Sequence, residues 1–130
     1  MSRSTRMRQV MTIASQTIGS DETLRQAQNT MVDHGLSHLP VVDAGKVVGV
    51  ISQRELHLLE TIGGVDLDVG SVTDSTLLSV YRCHPEDSLR DVARIMAART
   101  YGCAVVVDRG AVLGIFTATD ALACLAAALA

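Results

Sequence analysis

Gly114-Ile115-Phe116-Thr117-Ala118-Thr119-Asp120 carries the pattern around which the rest of the chain is organised. Its order is a glycine, two apolar residues, a hydroxyl, two spacers and an acid. Residues 49–55, Gly-Val-Ile-Ser-Gln-Arg-Glu, repeat this order with glutamate as the acid. Each stretch predicts a strand that runs directly into a helix, whose first backbone amides and positive dipole end favour an anion. A phosphate at the amides and a cis-diol at the acid would together fit a ribonucleotide.

The two stretches belong to an internal duplication with a constant offset of 65 residues. Leu24 aligns with Leu89, and the offset then holds without a gap as far as Glu55 and Asp120. Apolar positions, turn residues and spacing are preserved together, which chance seldom achieves. Each single element is therefore interpreted as one of a pair of equivalent elements.

The first repeat, residues 8–62, predicts the order strand, helix, strand, strand, helix. A lead-in at 10–18 precedes a helix that Ser20 or Asp21 would cap and Gly35 would end. A hairpin over 39–51 and a helix over 53–62 follow.

The second repeat, residues 72–125, predicts the same elements, after a glycine-containing linker at 63–71. Pro85 is expected to start its first helix, and its hairpin is expected to turn at Arg109-Gly110. The lead-in at 72–83 looks about four residues longer than the first.

Bulk composition limits the classes of protein to which this chain can belong. Its 130 residues suffice for one compact domain, and with two Tyr, one Phe and no Trp the core must be aliphatic. The net charge of −3 disfavours nonspecific nucleic-acid binding. Three widely spaced cysteines form neither a disulfide framework nor a zinc pattern, which favours the reducing cytoplasm. Residues 1–20 have a transit-like composition, but the repeat needs their second half as structure, so their beginning is interpreted as a short solvated arm. The alanine-rich end at 121–130 is too short to span a membrane.

Two copies of one motif carry a resemblance to a known family. Pro40-Val41-Val42-Asp43 and Val105-Val106-Val107-Asp108 each precede a Gly-apolar-apolar-Ser/Thr-x-x-Asp/Glu stretch. Residues 8–125 thus resemble a pair of cystathionine-β-synthase (CBS) domains, also called a Bateman module, here as a stand-alone protein. The resemblance implies an α/β (α+β) fold of tandem β-α-β-β-α repeats packed about a pseudo-twofold axis.

The resemblance also implies a function and its site residues. CBS pairs often bind AMP, ADP, ATP or S-adenosylmethionine in clefts between the repeats, and they often form homodimers that regulate another protein. The hydroxyl is expected to meet phosphate and the acid to hold the ribose. The first site would comprise Thr117, Thr119, Asp120, Ile18, Ser37, His38, Leu39 and Pro40. A weaker second site, in which glutamate departs from the usual aspartate, would comprise Ser52, Arg54, Glu55, Cys83, Gly102 and Cys103.

Simpler interpretations stand beside these. A hydroxyl followed three residues later by an acid is also an ordinary helix cap, and a ligand can replace a cap. His34 and His38 have a helical metal spacing, but Gly35 would break the helix between them, so no metal site is predicted. Phosphate-loop and nucleophile motifs are missing from the sequence, so neither an enzyme nor a required cofactor is expected. The alternative function is a structural homodimerisation module without a ligand.

Overall fold

The computed structural model describes residues 5–74 and 80–130, which packing groups into two compact units. The continuous unit is Gln16–Val80, and the split unit combines Met1–Ser15 with Tyr81–Ala130. Helices and mixed sheets occur in both units, which confirms the α+β fold class.

In chain order the elements are α1 (Met7–Val10), β1 (Thr12–Ile13), β2 (Ile18–Gly19), α2 (Leu24–His34), β3 (His38–Asp43), β4 (Lys46–Ser52), α3 (Gln53–Thr61), a 3₁₀ turn (Val72–Asp74), β5 (Arg82–Cys83), α4 (Leu89–Arg99), β6 (Cys103–Asp108), β7 (Ala111–Thr117) and α5 (Ala118–Ala128).

The continuous unit packs its helices on a three-stranded sheet in the order β2-β3-β4. β2 runs parallel to β3, and β3 and β4 form an antiparallel hairpin. Thr23 caps α2 by exchanging hydrogen bonds with Gln26, so the prediction of Ser20 or Asp21 as the cap is wrong. Gly35 ends α2 in the left-handed conformation as predicted, with φ at 65°. The core of this unit is aliphatic: Ile18, Leu24, Ala27, Met31, Leu39, Val41, Ile51, Leu56, Leu67 and Val72.

The split unit has a four-stranded sheet in the order β1-β7-β6-β5. Ser88 caps α4 by accepting a hydrogen bond from the Asp91 amide, so the helix begins later than the predicted start at Pro85. Pro85 is instead buried in the loop before the helix. The hairpin turns at Arg109-Gly110 as predicted, with both residues at positive φ. The core contains Met7, Cys83, Val92, Met96, Ala104, Val106 and Phe116.

The structure reproduces the duplication element by element. The bounds of α2, β3 and β4 each recur 65 residues later in α4, β6 and β7. Both hairpins carry an irregularity at the same place, between Val41 and Val42 and between Val106 and Val107. Cys83 lies opposite Val106 as Ile18 lies opposite Val41, so the offset also holds in the lead-ins. The predicted four-residue extension of the second lead-in is therefore wrong; residues 75–79 of that lead-in lie outside the described residues.

The segments that lead into the two repeats make the same hydrogen bonds 65 residues apart. The Leu89 amide donates to the Thr5 carbonyl, as the Leu24 amide donates to the Gly70 carbonyl. Arg6 forms a bridge with Ser88, and Ser71 forms the equivalent bridge with Thr23.

Each leading segment thus completes the core of the other repeat. Met7, in the N-terminal segment, is fully buried in the split unit, while Val72 is fully buried in the continuous unit. Residues 6–8 are consequently not the solvated arm that the sequence suggested. The side chain of Arg6 donates to the Glu86 carbonyl, and Arg8 forms an ion pair with the Glu86 carboxylate.

The segment predicted as a linker, residues 63–71, packs against the continuous unit. Leu67 is only 1% exposed, and its carbonyl accepts a hydrogen bond from the Arg25 amide. The Arg25 guanidinium also donates to Asp68 at 3.0 Å. These contacts order the segment despite its glycines.

We expect Gly114→Ala to lower the free energy of unfolding by about 1–3 kcal/mol, because β1 lies too close to β7 for a side chain. A Cβ at Gly114 would lie 2.7 Å from the Met11 sulfur and 2.8 Å from the Thr12 carbonyl oxygen. Gly102→Ala is the matched control, since its Cβ meets nothing within 4 Å. Urea unfolding followed by circular dichroism measures both. Equal stability of the two variants would contradict the close approach of β1.

Candidate functional site

The junction of β7 and α5 places a hydroxyl and a carboxylate at a helix N-terminus. The Thr117 hydroxyl accepts a hydrogen bond from the Asp120 amide at 3.2 Å. The Asp120 carboxylate accepts one from the Thr117 amide at 2.9 Å through Oδ2. The structure therefore contains the reciprocal helix cap that was one of the two interpretations of this motif. Oδ1 of Asp120 has no hydrogen-bond partner within the part of the chain that the structure describes.

Gly102 and Cys103 lie beside this junction. The Ala118 amide donates to the Gly102 carbonyl at 2.9 Å, and Cys103 pairs with Thr117 across the hairpin. Burial, with smaller contributions from Asp120 and Cys83, raises the pKa of the Cys103 thiol to about 12. Burial and the nearby Asp87 raise the pKa of the Cys83 thiol to about 11. Both thiols stay protonated at neutral pH, which makes them poor nucleophiles.

The junction of β4 and α3 is the counterpart in the continuous unit. The Ser52 hydroxyl accepts a hydrogen bond from the Glu55 amide at 3.0 Å. The Gln53 amide donates to the Ser37 carbonyl at 3.0 Å, and His38 pairs with Ser52. Burial raises the pKa of the Glu55 carboxyl, and the Ser52 backbone offsets part of this rise. Hydroxyl, carboxylate and helix amides thus recur together, although here the carboxylate is less well stabilised as an anion.

A cavity of about 450 Å³ opens at this second junction. Its polar end is formed by Ser52, Arg54 and Glu55, which the sequence analysis had singled out. Its apolar wall was not predicted, although a leucine and an isoleucine four residues apart on a polar helix were a usable signal. The wall residues are Leu58, Leu59, Ile62 and Gly63.

The remaining predicted site residues lie in different settings. Thr119 is exposed in the first turn of α5. Ile18, Leu39 and Pro40 are buried in the sheet of the continuous unit, and the Ser37 hydroxyl lies 3.1 Å from Nδ1 of His38. Within the split unit the structure brings Gly102 and Cys103 to the Asp120 junction, and within the continuous unit it brings Ser37 and His38 to the Glu55 junction. The assignment of residues 18 and 37–40 to a ligand of Asp120 stays a prediction.

No group of three His, Cys, Asp or Glu side chains is arranged to hold a metal ion among residues 5–74 and 80–130. In the same ranges no helix has the length and apolar character needed to cross a membrane.

Residues 7–58 and 69–127 each match the family model of the CBS domain. The chain therefore belongs to the CBS-domain family and contains two copies of the domain. CBS pairs are in general regulatory domains without catalytic activity, and the structural neighbours are CBS-pair proteins.

Known proteins similar to this chain include the CBS domain-containing protein YhcV of Bacillus subtilis. YhcV is 28% identical over 116 residues, which cover 88% of this chain and 81% of YhcV. The chain spans only 21% and 20% of two other curated relatives, which bear the names of enzymes.

Two solved structures with bound ligands share the fold. The CBS domain pair of protein MJ0100, in complex with 5-methylthioadenosine and S-adenosylmethionine, has a TM-score of 0.82 at 22% identity, covering 95% of this chain and 98% of that one. CBSX2 in complex with AMP has a TM-score of 0.75 at 22% identity, covering 97% of this chain and 99% of that one.

We expect the stability of the chain to fall as pH rises through the raised pKa of Glu55. The folded chain holds the Glu55 proton above the ordinary pKa of 4.5, so protonation favours the folded state in that window. Glu55→Gln should flatten this part of the pH profile, because it removes the half-buried carboxyl. Urea unfolding at a series of pH values measures the effect. If Glu55→Gln left the profile unchanged, burial of the Glu55 carboxyl would not contribute to the pH dependence of stability.

Proposed function

We propose that this chain is a regulatory module that binds an adenine nucleotide or S-adenosylmethionine and signals its occupancy to a partner protein. The observation that carries the proposal is the paired junction: both repeats place a hydroxyl, a carboxylate and the first amides of a helix together. The MJ0100 and CBSX2 complexes support the chemical class of ligand. The ligand would act as a signal in the cytoplasm. The chain would not convert the ligand and would need no cofactor.

The Asp120 junction is the proposed main site. The Ala118 and Asp120 amides are already paired with Gly102 and Thr117, so a phosphate here would meet the Thr119 amide, the Thr117 hydroxyl and the positive end of the α5 dipole, which favour negative charge. The Asp120 carboxylate can keep its cap through Oδ2 while Oδ1 accepts from a ribose hydroxyl. The proposal includes Thr119 and, from the first repeat, Ile18 and residues 37–40 as further contacts.

The Glu55 junction is the proposed second site. Its pocket of about 450 Å³ is open to solvent, so a ligand bound there would stay partly exposed. Arg54 offers a cation for a phosphate, Ser52 and Glu55 offer hydrogen bonds, and the apolar wall suits the face of a base. Cys83, Gly102 and Cys103 belong to this proposed site by the family resemblance alone.

The signal would be a shift in population between conformations of the module. A ligand moves such an equilibrium by no more than its difference in affinity for the two states. Binding at one junction can therefore alter the surface presented to a regulated protein without any chemical step.

We expect Asp120→Ala to weaken binding of AMP, ATP or S-adenosylmethionine at least tenfold, because it removes the acceptor for the ribose. Isothermal titration calorimetry of the wild type with each ligand identifies which one binds. Gln26→Ala is the control, since it removes an equivalent reciprocal cap from α2 without touching either junction. Wild-type protein that binds none of the three would overturn the proposed function. Binding that survives Asp120→Ala but not Glu55→Ala would move the main site to the Glu55 junction.

The alternative function, a homodimerisation module without a ligand, is favoured by the surface of α5. This helix has no buried residue, and Asp120 is its only charged one. Leu122, Leu125 and Leu129 are 65%, 54% and 76% exposed. The equivalent helix α3 carries Arg54, Glu55, His57 and Glu60, so the fold itself does not require an apolar helix here. Exposed apolar surface of this kind marks interaction sites.

We expect the wild-type chain to sediment as a dimer and Leu125→Glu to shift it to a monomer, because a charge in an apolar interface loses its hydration. Val32→Glu, at a similarly exposed position on α2, is the control and should leave the dimer intact. A wild-type monomer at all concentrations in analytical ultracentrifugation would contradict this expectation.

A further inference from the structure

Residues 5–14, the docking segment, lie against the split unit through backbone hydrogen bonds at the start of α4. The Leu89 amide donates to the Thr5 carbonyl at 2.9 Å. The Met7 amide donates to the Asp87 carbonyl at 2.9 Å, and the Arg8 amide to the Pro85 carbonyl at 3.0 Å. The Met7 side chain is 0% exposed among core residues of this unit. The segment therefore fills a specific receptor surface rather than a loose groove.

The second half of the docking segment extends the sheet. Thr12 and Ile13 pair with Ile115 and Gly114 of β7, and the Ala14 amide donates to the Leu113 carbonyl at 3.0 Å. The absence of a side chain at Gly114 allows this approach, since a Cβ there would overlap Met11 and Thr12. Strand addition of this kind supplies affinity through the main chain and specificity through side-chain pockets.

The docking segment reaches this surface through a short connector. Ser15, Gln16 and Thr17 have no secondary structure and form no hydrogen bond within the described ranges 5–74 and 80–130. Ile18, immediately after them, is buried in the continuous unit. This connector, named the hinge, is therefore not held by hydrogen bonds of its own to the described residues between its two anchored ends.

The equivalent segment of the second repeat differs in its connection. Residues 70–73 dock on the continuous unit and follow α3 of that same unit without leaving it. The Val65 amide donates to the Leu59 carbonyl, and Leu67 fills the core between α3 and this segment. Within residues 5–74 and 80–130, the docking segment thus differs from residues 70–73, because it is joined to its receptor surface through the hinge and the continuous unit.

We propose that the receptor surface on the split unit also accepts the docking segment of a second copy of this chain. The contacts that hold the segment all lie within the split unit, so they are the same whichever chain supplies it. Exchange of an identical element across a hinge is a low-cost route to a symmetric dimer. The occupant is therefore residues 5–14 of a second copy, and the proposal does not depend on nucleotide binding or on the α5 surface.

Cross-linking between differently marked copies tests this. In a background with Cys83→Ala, Cys103→Ala and Cys124→Ala, one copy carries Arg8→Cys and a longer, tagged copy carries Glu86→Cys. The Arg8 and Glu86 side chains form an ion pair at 2.9 Å and are 60% and 51% exposed, so a short bis-maleimide can reach both positions. The two copies are unfolded together, refolded at increasing concentration and cross-linked. We expect a product containing both copies whose yield rises with concentration, and one chain carrying both cysteines supplies the intrachain reference.

Two controls separate exchange from mere proximity. A mixture of tagged and untagged Arg8→Cys copies should give little product, because exchange of the segment does not bring residue 8 of one copy close to residue 8 of the other. Gly114→Ala in the Glu86→Cys copy should abolish the mixed product, whereas Gly102→Ala should preserve it. Product that survives Gly114→Ala would overturn the proposal, since it would arise from some other contact.

Deletion of residues 15–17 gives an independent measurement. Without the hinge, Ala14 and Ile18 become neighbours about 3.8 Å apart, which restricts docking on the same chain but not on a second copy. We expect the deletion variant to sediment as a dimer even with Leu125→Glu, while insertion of two Gly-Ser pairs between Ala14 and Ile18 of that variant restores the monomer. A folded monomeric deletion variant, or an absent mixed product at every concentration, would overturn the proposal.

Discussion

A hydrogen bond between segments distant in sequence occurs twice and anchors the leading segment of each repeat. The first amide of α4 donates to the Thr5 carbonyl, and the first amide of α2 donates to the Gly70 carbonyl. The first amides of a helix have no partner inside the helix, so a neighbouring segment that supplies a carbonyl is stabilised there. Each bond holds a leading segment whose apolar residue, Met7 or Val72, then completes a core.

This contact also bears on the elements that carry the proposed site at Asp120. β7 becomes an interior strand because β1 docks on one side and β6 on the other. Thr117 lies at the end of that strand and caps α5, so its hydroxyl and the first helix amides are carried by a strand that is paired on both sides. Sites built on such regular elements keep their geometry better than sites on loops.

The sequence predicted the parts of the fold that depend on neighbours in the chain. The 65-residue offset, the Gly35 helix end and the Arg109-Gly110 turn follow from local pattern and backbone preference. The caps Thr23 and Ser88 were missed, because several polar residues precede each helix and contacts with the distant segments decide which one becomes the cap. Met7 looked like part of a solvated arm for the same reason: its burial depends on residues some 80 positions away.

At the candidate site the motif predicted which residues take part, but not their burial or their hydrogen bonds. Ser52, Glu55, Thr117 and Asp120 were found from the motif, and the glutamate was recognised as a departure. Asp120 and Glu55 differ in their hydrogen bonds and in their burial, both of which depend on tertiary packing. Asp120 exchanges hydrogen bonds with Thr117, whereas burial raises the pKa of Glu55, and the apolar wall beside it comes from α3 residues outside the motif.

The exchanged leading segments bear on how such a chain could have arisen by gene duplication. A lone ancestral repeat would carry a leading segment that its own core does not receive, and a core lacking the piece that fills it. In a pair of identical ancestral chains, the leading segment of each chain could have filled the core of the other. Fusion of the two genes would then have turned an obligatory dimer into a single polypeptide, with the reciprocal exchange of segments preserved inside it.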